Sequence, residues 1–179
     1  LEDPDKILIT GCSAGGYGTF SAMLLARLKF PNARIYVLNE SGPGMTDANK
    51  NGIWDLVREN WGMQEWLPNQ FDDSQGSLLP LYSWMLAYDP LIKVAVFSSY
   101  KDAVLANEFL EIPGNEFKNR LLKDSEIIQQ KFPDRFKRFF VKGDSHCVED
   151  YLYEIDGISY VDWVMNLVND GTGWVDIME

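Results

Sequence analysis

Histidine occurs once in the 179 residues, at His146, and cysteine only twice, at Cys12 and Cys147. One histidine with two cysteines set far apart in the chain is not a metal-ligand spacing, so no metal site and no cofactor are expected. Basic residues are also scarce, 16 against 27 acidic ones, and the net charge is −11. The densest basic patch, 131–142, is interleaved with aromatic and acidic residues. A nucleic acid would be repelled by such a chain, which excludes that class of partner. Long apolar runs are missing too. Stretches such as 23–26 and 92–97 fall far short of the roughly 20 residues of a membrane helix, so no membrane span is expected. No low-complexity tract and no fixed-period repeat is present, which removes disordered and solenoid classes.

The composition itself is that of an ordinary globular domain, 46% hydrophobic and 24% charged, at a length that suits one domain. Along the chain, short β-branched runs at 6–11, 34–39, 91–98 and 136–143 read as strands. Between and after them, 21–28, 78–86, 115–131 and 160–168 have helical spacing, the last with Val161, Val164, Met165 and Val168 expected inward. Strands alternating with helices imply a mostly parallel sheet of about four strands with helices on both faces. The segment 45–90 reads as a cap or insertion, with Trp54 and Trp61 expected to pack rather than to line a pocket.

Gly11-Cys12-Ser13-Ala14-Gly15-Gly16 fits the G-x-S-x-G nucleophile elbow, in which small flanking residues permit a strained turn that presents the serine hydroxyl. About one chain of this length in twenty carries such a pentamer by chance. Here it follows a strand and precedes a helix, which is the context the motif requires. The plain alternative is a Gly-rich turn between strand and helix. A phosphate loop is disfavoured because the motif has no Lys and lacks G-x-G-x-x-G spacing.

A serine nucleophile needs a base, and His146 is the sole histidine, on a loop beyond the last long strand. The acid that orients it should lie between Ser13 and His146 in chain order. Asp102 fits best, just beyond the strand at 91–98; Glu40, at the end of the second strand, is the runner-up. Asp89 precedes the strand and Glu108 lies too far on. The bland reading of Asp102 is a helix N-cap before 103–109. With Ala14 N–H as one oxyanion donor, these residues make an acyl-transfer site on the C-terminal part of an α/β-hydrolase fold. Leu1 is not an initiator and no signal peptide is visible at 1–6. The chain is therefore expected to start partway through its own catalytic domain. The N-terminal strands and the second oxyanion donor would then lie upstream, leaving the 179-residue chain weakly active or inactive.

The residues resemble the pectinacetylesterase family, which includes the Notum-type carboxylesterases. Thr10 to Gly16 is similar to that family's nucleophile block, and Glu40-Ser41-Gly42 to its Asp-Ser/Ala-Gly turn with Glu in place of Asp. Asp102 matches its acid, Ser145-His146-Cys147 its base, and 156–163 its closing helix. The resemblance implies a secreted esterase, extracellular or periplasmic, acting on an acylated carbohydrate or small ester, with acetyl the expected acyl group. Tannases and fungal feruloyl esterases offer a second likeness. There a Cys before the catalytic Ser and a Cys after the catalytic His form a disulfide, which would pair Cys12 with Cys147; two buried thiols are the alternative. A non-catalytic binding domain and a peptidase of prolyl-peptidase type remain competing functions.

Overall fold

The computed structural model describes residues 3–46, 59, 60, 62, 65, 77–148 and 152–179. Trp54 and Trp61, expected to pack, lie outside the described residues, as does most of the expected cap. Strand β1 (Lys6–Cys12) runs parallel to β2 (Arg34–Glu40), with Lys6 opposite Arg34 and Cys12 opposite Glu40. Helix α1 (Ala14–Lys29) joins them. It starts immediately after Ser13, well before the expected 21–28. Gly15, Gly16 and Gly18 each cost a helix about 1 kcal/mol, which hides its first turns from a propensity reading. Packing overrides that cost, because Gly16, Tyr17, Thr19, Phe20 and Met23 are buried against the sheet.

The same logic repeats with α2 (Leu79–Tyr88) leading into β3 (Ile92–Ser99), and α3 (Gly114–Lys131) leading into β4 (Phe136–Val141). A small hairpin of β5 (Glu154–Ile155) and β6 (Ile158–Ser159) then turns at Asp156-Gly157, both at positive φ. Asp-Gly is the preferred dipeptide for such a turn. The chain closes with α4 (Tyr160–Val168) and β7 (Ile177–Met178). The main sheet has five parallel strands in the order β1-β2-β3-β4-β7, not about four. The added strand, β7, spans two residues and is too short to show a period of its own.

Side chains alternate along the strands and build two cores. Ile35, Val37, Val94, Val96, Phe136 and Phe140 face α1, α2 and α3, whereas Tyr36, Leu38, Ala95, Phe97 and Phe139 face α4. Helices thus cover both faces. Helix α2 belongs to the first core, with Leu81, Tyr82 and Leu86 wholly buried. Helix α4 is rotated from its expected orientation. Its buried residues are Tyr160, Trp163 and Leu167, while Val164 and Val168 are partly buried and Val161 and Met165 are about half exposed. The aromatic pair wins because it buries far more area. Trp163 also packs edge-on to Phe139 at 5.4 Å and donates its indole N–H to Val175 O at 2.7 Å.

Candidate active site

The C-terminal ends of β1, β2, β3 and β4 meet at one rim, and every candidate residue lies there or just beyond. Ser13 follows β1 with φ 57 and ψ −122, a conformation that costs an L-residue of order 1–3 kcal/mol and persists only where its surroundings enforce it. Two backbone bonds do so here. Ser13 N–H donates to Glu40 O at 3.0 Å, and Ser13 O accepts from Tyr17 N–H at 3.1 Å to open α1. A Cβ on Gly11 would overlap the Gly15 carbonyl, so this glycine permits the tight turn. Gly16 packs on Gly42 closely enough that a Cβ there would lie 2.9 Å from Gly42 Cα and Glu40 O. Ala14 is exposed at the first position of α1, where its N–H has no intrahelical acceptor.

His146 sits on the loop after β4, with Nδ1 at 2.9 Å from both carboxylate oxygens of Asp102. An ionised carboxylate only accepts, so Nδ1 carries the hydrogen, and in the neutral imidazole the lone pair is then on Nε2. Asp102 is wholly buried, and its Oδ1 also accepts Leu105 N–H at 3.0 Å. The N-cap role and the histidine-orienting role coincide in one side chain. Beyond Asp102 the chain forms a six-residue π-helix, Val104–Phe109, in place of an α-helix. Backbone bonds from Lys101 N–H to Gly143 O and from Ala103 N–H to Asp144 O tie this turn to the His146 loop. Glu40, the runner-up acid, instead accepts a hydrogen bond from Tyr160 Oη. Among the described residues Ser13 Oγ makes no hydrogen bond to His146; such contacts commonly tighten only with substrate.

A disulfide joins Cys12 to Cys147, with Cα atoms 5.9 Å apart across 135 positions of sequence. It therefore brings the neighbours Ser13 and His146 to the same rim. The fold also cancels the separation that argued against a ligand set, because ligand atoms of Cys12, His146 and Cys147 all lie within 4.8 Å of one another. No family model and no curated protein matches the chain.

Three supporting residues escape a reading of the sequence alone. Asn39, buried at the end of β2, donates Nδ2 to Gly16 O at 2.9 Å and to Gly42 O at 2.7 Å, pinning the start of α1 to the turn after β2. Ser41, buried at φ 45, accepts Cys147 N–H on its Oγ at 2.9 Å. Tyr160 holds Glu40. The visible signals are a polar Asn next to the end of a strand with an apolar centre and the Glu40-Ser41-Gly42 turn that follows it.

Beside Ser13 lies an apolar cavity of about 130 Å³, lined by Ser13, Ala14, Tyr17, Val104, Leu105 and Phe109. Tyr17 turns its hydroxyl away to donate to Met45 O at 2.6 Å. Burial, reinforced by the charge of Asp102, pushes the Tyr17 phenol well above its ordinary pKa, so it stays neutral.

Proposed function

We propose that the protein is a serine carboxylesterase that hydrolyses an O-acyl ester through an acyl-enzyme on Ser13. The observation that carries this reading is the convergence of a serine in a strained elbow with an imidazole held by a buried carboxylate, their neighbours joined by the Cys12–Cys147 disulfide. Ser13 Oγ attacks the ester carbonyl while His146 Nε2 takes its proton. The tetrahedral oxyanion is stabilised by Ala14 N–H at the positive end of α1. His146 then returns the proton to the departing alcohol, and Asp102 stabilises the imidazolium formed in between. Water, deprotonated by the same imidazole, attacks the acyl-enzyme and releases the acid.

The cavity beside Ser13 supports an acyl pocket of limited size. At about 130 Å³ it is comparable to the roughly 150 Å³ that accommodates a benzene ring, enough for acetyl and other short acyl groups. The likeness to pectinacetylesterases points to an acylated carbohydrate as the alcohol component, and the disulfide is compatible with an oxidising compartment, extracellular or periplasmic. No helix among the described residues is long and apolar enough to cross a membrane.

The test is active-site labelling of the full-length protein with a fluorophosphonate together with turnover of an activated acetyl ester. Covalent modification at Ser13, lost in Ser13→Ala along with turnover, is the expected result. A folded protein that is neither labelled nor active overturns the proposal. Ester recovered intact from the site would indicate a binding domain instead, and cleavage confined to peptide amides would indicate a peptidase.

A further inference from the structure

Cys12, His146 and Cys147 present a second chemistry that the disulfide holds in check. Both sulfurs are covalently satisfied while bonded to each other and offer no thiolate to a cation. We propose that the reduced protein binds one Zn²⁺ through the thiolates of Cys12 and Cys147 and Nε2 of His146, which silences the catalytic site. A dithiol supplies the two electrons: one of its thiolates attacks a disulfide sulfur, and its second thiol displaces the protein and closes a cyclic disulfide. Cys12 and Cys147 leave this exchange as thiols. Zn²⁺ then replaces their two protons, which pass to solvent, and forms two Zn–S bonds and one Zn–N bond. Water completes the tetrahedron.

Four observations carry the site. First, the two sulfurs and a ring nitrogen of His146 already lie within 4.8 Å of one another, and since Nδ1 is engaged by Asp102, Nε2 is the nitrogen left to ligate. With Zn–S near 2.3 Å and Zn–N near 2.0–2.1 Å, ligands of one tetrahedral ion sit about 3.5 Å apart, so on reduction the two sulfurs, now bonded to each other, must separate while the imidazole nitrogen stays within reach of both. Second, backbone contacts separate from the S–S bond also hold the two cysteines to one turn. Cys12 ends β1 in register with Glu40, and Cys147 N–H is held by Ser41 Oγ at 2.9 Å, both attached to the same turn after β2. Third, Asp102 fixes His146 through Nδ1, which is the carboxylate–histidine arrangement that orients and strengthens an imidazole ligand at zinc. The feature that readies Nε2 for a serine proton readies it equally for a metal. Fourth, two thiolates and an imidazole select a borderline-soft ion over Mg²⁺ or Ca²⁺, and a chain of net charge −11 attracts cations.

Zinc binding stands apart from the esterase proposal; only its silencing effect rests on that reading. The full-length protein is reduced with a water-soluble phosphine, which becomes the phosphine oxide by taking oxygen from water, and is then titrated with Co²⁺ as a coloured stand-in. One equivalent of Co²⁺ should produce thiolate-to-metal charge-transfer and tetrahedral bands that Zn²⁺ abolishes, and oxidised protein should produce none. Competition with a chromophoric chelator should show at least tenfold weaker zinc binding in His146→Ala, and about 10–100-fold weaker binding in Asp102→Asn, the effect expected of a lost outer-shell carboxylate. Zn²⁺ should stop turnover by reduced protein, and chelation should restore it. The site is refuted by reduced, folded protein that gives no bands, or by an unchanged affinity in His146→Ala. Loss of the folded circular-dichroism spectrum on reduction also refutes it, since the ligands then no longer converge. Should the oxidised protein show no esterase activity, the spectroscopic titration still decides the metal site.

Discussion

Replacing Gly42 by Ala tests the close contact on which the elbow depends. A Cβ at residue 42 would sit 2.6 Å from Gly16 Cα, 2.7 Å from Gly16 C and 2.8 Å from Tyr17 N. All three are backbone atoms at the start of α1 and have no rotamer to swing into. The helix start must lift from the turn, stretching the paired bonds from Asn39 Nδ2 to Gly16 O and Gly42 O. Overpacking costs about 1–3 kcal/mol and a weakened buried hydrogen bond about 1 kcal/mol, so the loss should be about 3 kcal/mol. For a chain of this size that lowers Tm by about 6–12 °C. Turnover should fall as well, because Ser13 is held by Glu40 O in the same turn. Gly18 supplies the control within the same helix, since it is exposed and a Cβ there meets nothing within 4 Å. Gly18→Ala should gain about 1 kcal/mol from helix propensity and raise Tm by about 2–4 °C. Urea and thermal unfolding of the full-length variants, with ester turnover alongside, measure all three quantities. The reasoning fails if Gly42→Ala is within about 0.5 kcal/mol of the parent, on the order of an ordinary surface substitution, or if Gly18→Ala is equally damaging.

Asp102→Asn should lower kcat by about 10⁴ while the protein remains folded, because an amide no longer fixes the tautomer of His146; a loss under tenfold would remove Asp102 from its proposed role. Ser41→Ala leaves Cys147 N–H without its acceptor and should cost about 1–3 kcal/mol and lower kcat more than it raises KM, as steady-state kinetics and unfolding curves would show. Burial alone would raise the Asp170 pKa, but hydrogen bonds from Lys93 and Tyr36 with the charges of Lys93 and Lys6 outweigh it and hold the carboxyl at about 2, below its ordinary 3.8. A depressed folded-state pKa means that this cluster stabilises the protein fully above the ordinary value and loses its effect as pH falls from 3.8 to about 2. Asp170→Asn should therefore lower Tm at neutral pH and flatten the acid limb of the Tm–pH curve over that window. Arg138→Ala should cost about 3 kcal/mol in urea unfolding, since the buried Arg138 side chain bonds Glu126 and Asp176 and its loss leaves the Asp176 carboxylate only the backbone N–H of residue 138.

Much of the sheet and the elbow can be read from the chain because both rest on short-range chemistry. Val and Ile runs make β2 and β3, and a serine flanked by glycines after such a run needs only its immediate neighbours to turn sharply. Helix α1 is half hidden because its glycines are poor helix formers that packing alone redeems. The face of α4 escapes for a related reason. Spacing favours Val161 and Met165, yet the space beside Phe139 accepts Trp163 and Tyr160, and shape complementarity across the sheet is not written in the periodicity of one helix. The hairpin at Asp156-Gly157 carries a turn signal, but strands of two residues leave no alternation to support it.

The candidate site divides along the same line. Order along the chain is enough to nominate Ser13, Asp102 and His146, since the elbow motif and the solitary histidine are local facts. It ranks Asp102 above Glu40 without excluding Glu40, and it does not say whether Cys12 faces Cys147. Those outcomes depend on strand order: β1, β2, β3 and β4 lie side by side, so their C-terminal ends bring together residues separated by as many as 135 positions. In that arrangement Asp102 meets His146, Glu40 is engaged by Tyr160, and two distant cysteines become neighbours around one imidazole. Local geometry needs only adjacent residues, whereas a site assembled across four strands exists only once the sheet has set their order.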